Sequence, residues 1–405
     1  MKISNSKLHY FNPGHEMSVC SGKAHYTPAA PVRKMMEDMG LLPLWYGAAG
    51  DYVWVDDAAE ALRFLSFVPP VLCPPVFPLS QAEAGRCTTE AKPLEAVPWG
   101  LSPQSIRFFE SLRERGVTLV VPPWEEAFTR LTSRQTAAEC LQKVQARLPE
   151  TSPIVVPCFC TTPEEVQQFM SVYPPPYLLK MPYSCSGRGL HWIWTDRLET
   201  PTLRWMAGAL KKQGQVSIEP ALDKVCDFAM EFESDGNGQV AYRGLSIFET
   251  LPKGSFSSCL LGSEASLWNK LRACISEKSL QDLRHAVTAV LTETLGAIYR
   301  GCLGVDMLIY RRNGAFAIHP LIELNLRYTM GMVALQLSRR WMHPSAEGRF
   351  VVVCESSRGT AYASHLQMEK TYPLLLEDRK IKSGYFSLCP VTPETHYRAY
   401  VLSGA

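Results

Sequence analysis

In PLIELNLRYTMG, residues 320–331, polar groups fall at every second position: Glu323, Asn325 and Arg327, with apolar Ile322, Leu324 and Leu326 between them. Strand side chains alternate faces, so an acid, an amide and a guanidinium share one side while the other packs into a core. A solvent-facing strand shows the same alternation. The preceding residues add a second carboxylate. GVDMLIYRRNGAFAIHPLIELN carries the hairpin dipeptide Asn313-Gly314 between two strand-like runs. That turn predicts Arg312 opposite Ala315, with Asp306 facing Leu321 and diagonal to Glu323 on one face. Diagonal neighbours lie roughly 7–8 Å apart, close enough for side chains to converge on one ion. Two carboxylates with no adjacent lysine repel, and desolvating them without a cation is costly. A hard divalent ion held by Asp306, Glu323 and Asn325 removes the conflict and keeps positions for phosphate oxygens. A one-residue slip would send Asp306 to the other face, so the reading depends on the turn.

Two further stretches could bind a nucleotide. In YLLKMPYSCSGRGLHWI, Lys180 ends one strand and the small-residue loop Ser184–Gly189 leads to the next. Backbone N–H groups of such a loop can cradle phosphate oxygens, with the lysine as a point charge. An ordinary hairpin turn fits the same letters, and no GK[ST] follows. In VSIEPALDKVCDFAMEFE, Glu219 precedes Pro220, so the chain must leave its strand there. The bend offers backbone donors and acceptors to a flat heterocycle, and Asp223 or Asp227 could accept from a sugar hydroxyl. A plain edge-strand corner is the structural alternative.

The elements that must position these residues are legible in outline. KLHYF reads as a strand entering the loop NPGHEMSVCSGKAHY, and Thr27-Pro28 as the start of a helix ending at Gly40. LPLWY, YVWV and VTLVVP read as strands, residues 68–79 as a proline-rich connector, and SPQSIRFFESLRERG as a capped helix. This β/α alternation predicts a small open sheet flanked by helices. A helix over residues 133–148 and another at TPEEVQQFMSVY follow, then paired strands, a long helix from LQDLRHAVTAV onward, the hairpin above, and short strands from Arg349.

A strand lysine, a Gly/Ser loop, a Glu-Pro strand end, an Asp strand and a closing ExNxR strand, in this order, resemble the ATP-grasp superfamily. The resemblance spans residues 133–342 and is closest to the biotin carboxylase and carboxylate–amine ligase branch. It implies a Rossmann-like β/α domain (1–130), an ATP-grasp domain of two α+β subdomains (131–345) and a β-rich C-terminal extension packing on it (346–405). It further implies that Lys180 contacts α/β-phosphates and that Ser184, Ser186, Gly187, Arg188 and Gly189 form a phosphate lid. Glu219, Pro220, Ala221 and Leu222 would hold adenine, and Asp227 the ribose. Asp306, Glu323 and Asn325 would carry Mg²⁺ or Mn²⁺, and Arg327 would neutralise an acyl phosphate or a carboxylate, with Lys180 as its catalytic companion. Where relatives often carry another phosphate-facing lysine, this sequence has Arg134, whose forked head keeps the charge. The lid also has fewer glycines than many relatives.

The implied activity is an ATP- and Mg²⁺-dependent ligase that joins a carboxylate, on a small molecule or peptide, to an amine. A kinase of the same fold and a non-catalytic nucleotide-binding scaffold remain open. Asn12, His15 and Glu16 in NPGHE could orient a polar acceptor, since ligands of open α/β sheets bind beyond the carboxyl ends of strands; a surface turn built on Asn-Pro-Gly is the alternative. Lys253 is a further substrate candidate.

The 405 residues suffice for two or three domains, and 46% apolar with 20% charged content fits a globular protein. A net charge of +2 offers no bulk attraction to nucleic acid or anionic membrane. No apolar run reaches spanning length, and MKISNSKLHYF lacks a signal-peptide core. Thirteen scattered cysteines without CxxC or zinc spacing predict reduced thiols in a cytoplasmic protein.

Overall fold

Short apolar runs joined by capped helices build a parallel sheet in the first part of the chain. Its order is Phe77–Leu79, Tyr52–Trp54, Lys7–Tyr10, Leu94–Pro98, Leu119–Val120. This computed structural model describes residues 5–84, 92–148, 154–184, 187, 189–252 and 254–404. Leu8, Leu94, Ala96, Phe109 and Leu112 share one core under the sheet. The helix Pro103–Glu114 starts where Ser102 and Ser105 cap each other reciprocally, with Pro103 in the first turn.

Three local expectations are corrected here. LPLWY is no strand: Leu42–Trp45 forms a 3₁₀ helix with all four side chains buried, since Pro43 has no N–H for a ladder. NPGHE is a loop only up to Gly14, which takes φ 80° and opens the helix His15–Ser21. The next helix runs Ala30–Met39 and begins after Pro28, with Pro31 in its first turn where no N–H is needed.

Contacts gather the chain into two units, one of Met1–Glu125, Ser257–Ser266 and Met332–Ala405, the other of Glu126–Phe256 and Leu267–Gly331. In the first unit, residues 258–261 pair with Gly348–Cys354, and Tyr397–Ser403, Lys380–Ser387 and Leu375–Glu377 continue the antiparallel order. These late strands are tied to early residues. Trp45 Nε1 donates to the Leu388 carbonyl at 2.6 Å, and Asp38 Oδ2 accepts from the backbone N–H of His396 and Tyr397, each at 2.9 Å. The tail also holds a helix, Thr360–Thr371, where the sequence reading has strands alone.

The second unit has two antiparallel sheets. The smaller runs Cys158–Cys160, Val216–Pro220, Tyr177–Lys180, Leu190–Ile193. Its inner face, with Tyr177, Leu179 and Ile218, packs with Val166, Phe169 and Met206 from the helices Pro163–Val172 and Thr200–Gln213. The second of these helices lies where the sequence suggests only paired strands. Its buried Thr202, Met206 and Ala209 recur at helical spacing. In the larger sheet Ala315–Asn325, Arg300–Arg312, Asp223–Asp235 and Val240–Thr250 are successive neighbours. Among the described residues no helix is long and apolar enough to cross a membrane.

Candidate active site

In the small sheet, Lys180 pairs with Ser217, and Glu219 with Leu178, so the two charged side chains are diagonal neighbours on the outer face. Lys180 Nζ lies 2.5 Å from Glu219 Oε1, with both side chains largely buried. Arg134, the first residue of the helix Arg134–Arg147 capped by Ser133, reaches the same region. Its Nε donates to the Met181 carbonyl at 3.1 Å, and its Nη2 donates to Ser184 Oγ at 3.0 Å and lies 2.9 Å from Glu323 Oε1. Arg134, Lys180, Glu219 and His319 surround a cavity of about 10 Å³, room for about one water. These charges are mutually paired, so an entering anion must exchange partners rather than fill a void. Burial, then the nearby Lys180 charge, pushes the His319 imidazole down to about 3, so it stays neutral.

The metal candidates lie on the larger sheet, and the hairpin turn is where the sequence puts it. Asn313 and Gly314 take φ 51° and 80°, and Arg312 pairs with Ala315. The expected diagonal relation of Asp306 and Glu323 is corrected: they are directly opposite. Pairing jumps from Leu308↔His319 to Asp306↔Glu323, so the second strand spends extra residues there. Pro320 lies within the excess and has no N–H for the ladder, which is the physical reason for the irregularity. The shift is even-numbered, so the shared face survives. Gly304 faces Asn325, which extends that face.

Desolvation pushes the Asp306 carboxyl well above the usual carboxylate range, and Glu323 and then Glu231 push it further; Arg327 and a hydrogen bond with Asn325 act the other way. The two opposed carboxylates supply oxygens suited to a hard divalent cation, while Asn325 donates its amide N–H to Asp306 and turns its oxygen to Arg327. Arg327 Nη2 donates to Asn325 Oδ1 at 2.9 Å, so the guanidinium stands beside this set.

No protein-family model matches the sequence, and no curated protein does. Solved structures do match. The chain is similar over 98% of its length to the biotin carboxylase domain of Hydrogenobacter thermophilus 2-oxoglutarate carboxylase, solved with MgADP, ADP and bicarbonate (86% of that chain, 12% identity, TM-score 0.53). Phosphoribosylamine–glycine ligase from Thermotoga maritima aligns over 98% of this chain and 92% of its own, at 13% identity and TM-score 0.52. N5-carboxyaminoimidazole synthetase from Staphylococcus aureus, with ADP, aligns over 100% and 95%, at 11% identity and TM-score 0.50. The fold is the biotin carboxylase-like ATP-grasp fold.

Within this ATP-grasp architecture the remaining candidates are placed as follows. At the Glu219–Leu222 bend, the Ala221 N–H donates to the Pro176 carbonyl at 2.8 Å. Asp227 Oδ2 is 2.5 Å from Lys224 Nζ and accepts from Thr250 Oγ1 at 3.3 Å. In the loop after Lys180, Gly187 takes φ 72°, and a Cβ at Gly189 would come within 2.4 Å of the Ser184 Cβ. Ser186, Arg188 and Lys253 lie outside the described residues. In the first unit, the Asn12 side chain donates to the Gly100 carbonyl at 2.8 Å and accepts from the Gly100 N–H at 3.2 Å, which spends its amide on the backbone. His15 is 3% exposed, with Nδ1 3.3 Å from Glu16 Oε2 but off the line of a hydrogen bond.

Sequence reasoning missed Glu231. It shares the face of Asp227 by strand alternation, two positions beyond Ala229, which pairs with Asp306. Burial pushes its carboxyl up to about 7, against hydrogen bonds from Thr329 and Ser246 and the Arg327 charge. The acid was visible in DFAMEFE. That Thr329, 98 residues later, meets it was not.

Proposed function

We propose that this chain is an ATP- and Mg²⁺-dependent ligase that joins a carboxylate to an amine, with release of ADP and phosphate. The carrying observation is the direct opposition of Asp306 and Glu323, with Asn325 on the same face and Arg134 bridging from Glu323 to Ser184 at the start of the loop after Lys180. ADP and MgADP in the solved ligases and carboxylases of this fold support the nucleotide and the metal.

The donor set fits a magnesium ion, since Asp306 and Glu323 supply the negative charge, and Asn325 would add a neutral oxygen by turning its amide from Arg327. Held by Asp306 and Glu323, Mg²⁺ would neutralise phosphate charge as a Lewis acid. Lys180 and Arg134 hold the phosphates as fixed cations, exchanging their present carboxylate partners for phosphate oxygens. The bend at residues 219–222 takes adenine, and Asp227 accepts from the ribose. In the reaction, a substrate carboxylate oxygen attacks the γ-phosphorus and ADP departs. Arg327 steadies the acyl phosphate, the amine nitrogen attacks its carbonyl carbon, and phosphate leaves as the nitrogen loses a proton.

The test is ADP release over a pool of carboxylates and amines, with mass spectrometry of the product. Asp306→Asn and Glu323→Gln should abolish Mg²⁺-dependent release while circular dichroism stays that of the parent. Parent-like release in either variant overturns the metal site. A stable phosphorylated product without incorporated amine makes the protein a kinase.

A further inference from the structure

We infer that Glu231 is the positioning residue of the turn that presents Arg327, an inference that rests on the ligase reading for its catalytic meaning. Glu231 is 1% exposed and so touches no substrate. Its Oε2 accepts from Thr329 Oγ1 at 2.7 Å and its Oε1 from Ser246 Oγ at 3.0 Å. Ser246 stands on the neighbouring strand Val240–Thr250, and Thr329 closes the segment that leaves the strand Ala315–Asn325 with Arg327 in it. One carboxylate therefore ties the sheet to the exit turn.

The backbone makes room for it from two sides. A Cβ at Gly331 would lie 2.0 Å from Glu231 Oε1 and 2.4 Å from Ser246 Oγ, and one at Gly304 would lie 2.8 Å from Oε2. Both glycines keep clear the volume the carboxylate occupies, so the latch is a packed feature of the site. Arg327 itself is held by the turn: its Nη2 donates to Asn325 Oδ1 at 2.9 Å and its Nη1 to the Tyr328 carbonyl at 3.2 Å. The Tyr328 carbonyl that accepts from Arg327 immediately precedes Thr329 in the chain, so a fixed Thr329 fixes the backbone that holds the guanidinium. Glu231 acts through Thr329 to hold Arg327 beside Asn325.

Thr329→Ser keeps the hydroxyl and Thr329→Val removes it at nearly constant volume. In the full chain without nucleotide, amide exchange at residues 326–331 should quicken about tenfold in Thr329→Val and stay parental in Thr329→Ser. In the ADP-release assay, kcat should fall about tenfold in Thr329→Val, with affinity for a non-hydrolysable ATP analogue within about twofold, and Thr329→Ser should restore it. A buried bond that merely stabilises would lower the melting temperature without this split. Unchanged exchange in Thr329→Val, or equal damage in Thr329→Ser, overturns the latch. If the parent binds no nucleotide, the ligase reading falls, and the exchange experiment still decides the latch. Should Thr329→Val fail to fold, Ser246→Ala removes the other hydroxyl: faster exchange confined to residues 326–331 supports the latch, and global or absent change refutes it.

Discussion

Lys180 and Glu219 are held together at 2.5 Å, which alters what removal of the lysine does. On the proposed reading, Lys180→Ala deletes a charge-assisted phosphate contact and also leaves the Glu219 carboxylate without Lys180 on the face where phosphates would bind. Such a contact is worth about 1.5–3 kcal/mol, so the Kd for an ATP analogue should rise roughly ten- to hundredfold. Calorimetric titration checks this, and an unchanged Kd places Lys180 outside the nucleotide site. Glu219→Gln should relieve part of the loss when combined with Lys180→Ala. Arg134 raises the same issue on the other side, because its partner Glu323 is itself a metal candidate. Lys180 with Glu219 and Arg134 with Glu323 are paired in the structure, so neither cation stands as an uncompensated buried charge.

At the scale of elements, the hairpin Arg300–Asn325 has two separate determinants. Its turn is set by the left-handed backbone at Asn313 and Gly314, and its register at the carboxylates is set beyond the irregularity at Pro320. Gly314→Ala places a side chain at φ 80°, at a cost of about 1–2 kcal/mol. Nothing lies within 4 Å of the added Cβ, so the cost is conformational alone. The denaturation midpoint should drop accordingly, while Mg²⁺-dependent nucleotide affinity stays within about twofold of the parent. Loss of metal dependence in this variant would show that the turn, not the proline, sets the register. The sequence identified this turn from a dipeptide. It could not show the irregularity, because Pro320 in an otherwise apolar run marks that the ladder breaks without saying how many residues are spent.

For the whole molecule, buried ionisable groups pull stability in opposite directions with pH. His319, held near 3, disfavours the fold as pH drops below its ordinary 6.5. Glu231, raised from 4.5 to about 7, does the reverse. The folded state binds its proton more tightly than the unfolded chain. Its contribution is therefore complete below about 4.5 and lost as pH rises through about 7. A displacement of that size is on the order of 3 kcal/mol. Glu231→Gln keeps the hydrogen-bond partners and removes the titration, since Ser246 and Thr329 hydroxyls can donate or accept. Without nucleotide or metal, the variant should match the parent near pH 4.5 and exceed it in stability by about pH 8. Paired denaturation curves at the two pH values test this, and a pH-independent difference rules it out.

The sequence by itself determined the alternation that puts Glu323 and Asn325 on one side, the Asn-Gly turn that brings Asp306 to them, and the order of motifs that suggested the fold. Each of these is local or nearly so: strand periodicity, a two-residue backbone preference, a spacing. The helix Thr200–Gln213, absent from the sequence reading, has its buried Thr202, Met206 and Ala209 at helical spacing, a local signal that could have found it. Only the tertiary structure decided that Arg134 meets Glu323, that Asn12 serves Gly100, and that Glu231 receives Thr329. Those partners are far apart along the chain, and no pattern in it encodes which buried polar group satisfies which. That choice follows from where the packed elements leave room, as Gly304 and Gly331 do around one carboxylate.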